Sequence, residues 1–193
     1  SNKWQMPERY YRQAFYVQNN VNTPLIEFFV LDSSPITATT PDPNADYAYS
    51  SYGIAQQNWA KSAVRNSQAT WKFAMAHHPY ISNGQHGKAG NFEGVPACSA
   101  ATPALEGSGV APTSCGATWK VLLEESICGR VDLFFQGHDH HVEWLKAITD
   151  NGGTSYSNPN GCGKTEFVLS GAAAKLREVT EDPTGTYFQA GQT

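Results

Sequence analysis

The chain has 193 residues and a mass of 21.0 kDa, with 40% hydrophobic and 12% aromatic residues, enough to bury one substantial globular core. A net charge of -4 and a pI of about 5.8 remove any electrostatic case for nucleic-acid or anionic-membrane binding. No apolar run approaches the ~18 residues of a membrane span, and the opening Ser1-Asn2-Lys3-Trp4 has neither an initiator methionine nor an apolar leader core. An interior piece of a longer chain, or a processed product, is the expectation.

The first predicted element is the nearly continuous apolar run Pro24–Asp32, which reads as a buried strand. The stretch 33–52 is rich in Pro, Thr, Asp and Tyr and reads as a loop, with Asp32 capping its first turn. A helix is predicted over Ile54–Asn66, burying Ile54, Ala55, Trp59, Ala63 and Val64. A strand over Trp71–Ala76 then delivers His77 at its end. Residues 82–116 are rich in glycine and small side chains and form a long surface excursion, a lid or rim. A second helix, Ala117–Cys128, places Trp119, Leu122, Leu123 and Ile127 on one face. Strands follow at Val131–Gln136, Val142–Leu145 and Glu166–Ser170, with a Gly/Asn loop over 150–163 and a small-residue turn from Gly171. Strand–helix–strand order indicates an α/β layered fold.

The cysteines Cys98, Cys115, Cys128 and Cys162 contain no C-x-x-C spacing, which speaks for disulfides over a structural zinc. Three connectivities are open; Cys98–Cys115 with Cys128–Cys162 is the favoured one. Disulfides imply an oxidising compartment, and four free cytosolic thiols are the alternative.

All six histidines fall in two stretches, His77, His78 and His86 in one and His138, His140 and His141 in the other. Each cluster follows an apolar strand, and in α/β folds sites gather at the carboxyl ends of strands. Neutral imidazole binds metals and titrates near neutrality. His138 and His140, two apart, could face one side of an extended segment. Gly137 is expected to supply the unusual backbone turn there, and Asp139 to anchor it or orient an imidazole. Tyr80 and Gln136 have ordinary strand or turn explanations.

In order, Ala76-His77-His78-Pro79-Tyr80, Gly84-Gln85-His86-Gly87, Gly137-His138-Asp139-His140 and Phe167-Val168-Leu169-Ser170-Gly171-Ala172 resemble the calcineurin-like metallophosphoesterases. The purple acid phosphatase branch fits best, and Trp4–Tyr11, Val30–Ser33 and Gln56–Trp59 are similar to it as well. The resemblance implies a two-sheet β-sandwich flanked by helices, of which 1–193 would be the C-terminal half. It implies two metal ions (Fe, Zn or Mn): His77 and His138 look like ligands of one, His140 of the other. His86 looks like the acid that protonates the leaving alcohol. His78 and Asn83 take lesser places lining the substrate pocket, against the alternative that they only pack, as His141 is expected to do.

The activity implied is hydrolysis of phosphate monoesters by metal-bound hydroxide, in a secreted or periplasmic protein. A nucleotidase or phosphodiesterase is the nearest alternative. The Asp-x-His, Gly-Asp and Gly-Asn-His-Asp motifs that complete the family's site are not found ahead of His77. The 193 residues are therefore expected to be inactive alone and to need an N-terminal half of the same enzyme as partner. A non-catalytic structural or binding fragment is the rival of a different class.

Overall fold

The computed structural model describes residues 6–19, 21–37, 49–90, 92, 116–145, 162–179 and the backbone of 186–190. Seven strands form one mixed sheet: β1 (Tyr11–Phe15), β2 (Ile26–Val30), β3 (Trp71–Met75), β4 (Leu133–Gln136), β5 (Val142–Leu145), β6 (Glu166–Ser170) and β7 (Thr186–Ala190). Their spatial order is β1-β2-β3-β4-β6-β5-β7. The centre is parallel from β2 through β3 and β4 to β6, and β1, β5 and β7 run antiparallel to their neighbours.

Two crossovers build that parallel centre. Between β2 and β3 the chain makes a short helix α1 (Ser34–Thr37), a single π-helical turn (Tyr49–Gly53) and helix α2 (Ile54–Asn66); between β3 and β4 it makes helix α3 (Ala117–Ser126). Both steps move one strand in the same direction, so right-handed crossovers put α2 and α3 over one face. Their Ala60, Ala63, Val64, Trp119, Leu122 and Leu123 share one core with Phe29, Ala74, Phe134 and Phe167 of the sheet. Alternation along each strand makes this possible, because Phe29, Ala74, Phe134, Phe167 and Leu169 all point to the helical side.

The other face is also apolar. Phe15, Phe28, Phe73 and Phe135 run across four strands in edge-to-face contact, with successive ring centroids 5.9, 5.3 and 6.1 Å apart. An open groove of about 770 Å³ lies beside them, lined by Met6, Tyr11, Phe28, Val30 and Met75 among others. Among the described residues nothing covers this face, and Phe15, Trp71 and Trp144 remain about half exposed.

Several sequence expectations are corrected. On α2 the buried positions are Gln56, Ala60, Ala63 and Val64, while Ile54 is 42% exposed, Ala55 is exposed and Trp59 is only half-buried against Tyr10. Gln56 causes the rotation: its Oε1 accepts from the Asp32 N–H at 2.7 Å and its Nε2 donates to the Asp32 carbonyl at 2.8 Å. That pair of bonds satisfies the strand end and draws a polar residue to 0% exposure. Helix α3 stops at Ser126, and β2, β3 and β4 are shorter than expected by one to four residues. The stretch 33–52 contains α1 and the π turn, and β1 and β7 were not anticipated.

Asp32 caps its turn as expected, accepting from the Ser34 N–H at 3.2 Å. The Cys128–Cys162 disulfide is present, joining the end of α3 to the loop before β6. Cys98–Cys115 and most of the 150–163 loop lie outside the described residues, as does 93–115 of the excursion. Its start is packed, with Ser82, Asn83, Ala89 and Phe92 all buried.

Candidate metal centre

The carboxyl ends of β3 and β4 lie side by side, and both histidine clusters start there. The Gly137 N–H donates to the His77 carbonyl at 3.0 Å, locking the two strand exits together. His138 then takes a left-handed backbone with φ of 73°. The turn expected at Gly137 is thus made by a non-glycine residue, whose backbone strain aims its ring back over β3. His77 Nε2 and His138 Nδ1 face each other at 3.0 Å. The ring of His78 stands 4.7 Å from that of His138, and ligand atoms of His77, His78 and His138 all lie within 4.8 Å of one another.

This cluster can hold a metal ion. A metal takes an imidazole lone pair, so the ring must be neutral. Burial lowers the His77 pKa, and the neighbouring His140 lowers it further. Burial also pulls His78 down to about 3, with His138, His77 and His86 adding to the effect. Both rings are neutral at ordinary pH. His78 is further fixed by the Ser33 hydroxyl, 2.8 Å from its Nδ1, and by the Trp119 indole N–H, which donates to its carbonyl at 3.1 Å. No carboxylate belongs to the three-residue group.

His140 is two residues on, half-buried, and its Nδ1 has no hydrogen-bond partner among the described residues. His141 is turned inward. Its Nε2 lies 2.5 Å from Glu143 Oε1, with both side chains essentially inaccessible, close enough for an ion pair though not aligned as a hydrogen bond. Asn83 is buried beside them, its backbone and side-chain N–H groups donating to Glu143 Oε2 at 3.4 Å. Gln136 and Tyr80 hold the same loop, the Tyr80 N–H donating to Gln136 Oε1 at 2.8 Å.

Asp139 ties the two clusters together. Its buried carboxylate accepts from the Ser82 hydroxyl at 2.5 Å and from the His86 N–H at 2.9 Å. The loop carrying His86 is therefore bonded to the Gly-His-Asp-His segment, and the His86 ring lies 4.5 Å from that of His138. Sequence reasoning missed Arg177, whose Nη1 donates to His86 Nε2 at 3.0 Å and to Gln85 Oε1 at 2.8 Å. A guanidinium has only donors, so His86 Nε2 is the acceptor here and the ring proton sits on Nδ1. The available hint was a lone arginine in the small-residue turn after a strand that ends at the site's edge.

No family model matches the sequence. Among curated proteins, purple acid phosphatase 7 of Arabidopsis thaliana is 24% identical over 159 residues, covering 78% of this chain and 36% of its own length. Among solved structures, GAP50, the anchor in the inner membrane complex of Plasmodium, superposes with a TM-score of 0.59 at 17% identity, over 98% of this chain and 46% of that one. A purple acid phosphatase from yellow lupin seeds (Lupinus luteus) gives a TM-score of 0.50 at 15% identity, over 94% and 26%. The fold is metallophosphoesterase-like. Its sequence similarity is to a phosphatase, and the chain spans about a third of the length of that curated relative.

Proposed function

We propose that this chain is the C-terminal part of a metal-dependent phosphoesterase that hydrolyses phosphate monoesters, acting together with an N-terminal half of the same enzyme. The observation that carries this reading is the convergence of His77, His78 and His138 at two strand ends, with His86 against His138. Bound metal supplies Lewis acidity toward the phosphoryl oxygens and a water acidified toward neutrality. His77, His78 and His138 hold one ion (Fe, Zn or Mn), and His140 belongs to a second, whose other ligands come from outside the described residues.

The chain's own groups do the rest. His86 delivers a proton to the leaving oxygen from its imidazolium form, and the neutral ring left behind is the one seen here, with Nε2 accepting from Arg177. Asp139 fixes the position of the His86 backbone. The aromatic face, uncovered among the described residues, supports the N-terminal half as partner, because an apolar sheet face is ordinarily packed against a second layer. The Cys128–Cys162 disulfide supports a secreted or periplasmic location, and among the described residues no helix is long and apolar enough to cross a membrane.

GAP50 carries the same fold as an anchor, so fold alone does not fix an activity. The test is elemental analysis of the natural protein alongside hydrolysis of an aryl phosphate. Bound transition metal and phosphatase activity, both lost in His138→Ala, are expected. A folded natural protein that carries no metal would overturn the enzymatic reading in favour of a structural one.

A further inference from the structure

A positive charge, the guanidinium of Arg177, stands beside His86. Arg177 lies in the segment leaving β6, and its backbone is pinned to the metal-centre loop: the Arg177 N–H donates to the His140 carbonyl at 2.8 Å. The Gly171 N–H donates likewise to the His141 carbonyl at 3.1 Å. A side chain at Gly171 would overlap the Asp139 carbonyl, so this segment approaches the Gly-His-Asp-His backbone as closely as a chain can.

The guanidinium has no carboxylate partner among the described residues. Among the described residues only Nη1 is engaged, by Gln85 and His86, and both side chains accept there. This charge stands one ring away from His138. Arginine presents a planar fork that suits phosphate oxygens.

We propose that Arg177 is an anion-binding residue of this centre, taking a non-bridging oxygen of a phosphate group while His86 is held against it. This rests on the phosphoesterase reading above. In that arrangement one side chain both anchors the substrate anion and holds the ring of His86 beside it.

The experiment measures inorganic phosphate binding calorimetrically on the metal-loaded, full-length protein, with metal content determined on the same samples. Losing one charge-assisted bond predicts about 10- to 100-fold weaker phosphate binding in Arg177→Ala. Metal content should be unchanged, and Arg177→Lys should recover part of the affinity. Wild-type phosphate affinity in Arg177→Ala, with metal retained, would overturn the proposal and leave the phosphoesterase reading standing. Loss of metal in both variants would also overturn it, making Arg177 part of the scaffold. A wild-type protein that binds neither metal nor phosphate would overturn both.

Discussion

Gly84 rests directly on Asp139: a methyl group at position 84 would overlap the Asp139 carboxylate and the ring of His141. To make room, either the 82–86 loop or the buried Asp139 and His141 side chains must shift, and both moves disturb the bonds that hold the loop. Gly84→Ala is therefore expected to cost about 1–3 kcal/mol and to lower any activity that depends on His86. Gly163→Ala, with nothing within 4 Å of its new methyl, is the control. Chemical unfolding of the two variants checks this; equal stability would show that the loop is not held by that contact.

How much of this was legible in the sequence varies by element. Strands β2 to β6 and both long helices were readable because hydrophobic period and length agreed. Strand β1 was not, since Tyr11-Arg12-Gln13-Ala14-Phe15 is an edge strand without clean alternation. The buried face of α2 was misjudged because a glutamine outcompeted an isoleucine for the interior, and hydrogen bonds to Asp32 decide that. The histidine clusters could be read as one site from their position after strands. Arg177 could not, because its contact with His86 spans 91 residues and leaves no local pattern.

The metal-free protein should lose stability in acid through His78. Its folded pKa is lowered to about 3 from 6.5, so its contribution is fully present above 6.5 and fades as pH falls toward 3. The full loss is on the order of 5 kcal/mol. His78→Gln should flatten the dependence of unfolding free energy on pH across that window. Urea titrations at several pH values after chelation measure it, and an unaltered slope would remove His78 as the cause.

The buried His141–Glu143 pair gives a separate test. Removing one partner strands a polar group in the core, so Glu143→Ala should cost about 3–5 kcal/mol. Replacing both with leucine should restore part of that loss, because it removes the His141 desolvation problem while the Asn83 donors still lose Glu143. Thermal melts of the wild type and the two variants decide it; a double variant no better than the single would count against the pairing of His141 with Glu143.

Should His86 deliver the leaving-group proton, its loss will matter most where that proton is needed most. His86→Ala should slow alkyl phosphates about 10²–10⁴-fold and aryl phosphates much less, because phenolates depart without help. Comparing the two substrate types at fixed metal occupancy measures this. Equal slowing would take the acid role away from His86.

The Cys128–Cys162 bridge closes a covalent ring that contains β4, β5 and the whole Gly-His-Asp-His segment. A protease that cuts once between Leu145 and Cys162 would open the ring without releasing either piece. Such a nicked protein would migrate as a single species until a reductant separated it, and the histidines of β4's exit would stay tethered to β6. Damage on that side of the molecule is thereby uncoupled from loss of the centre.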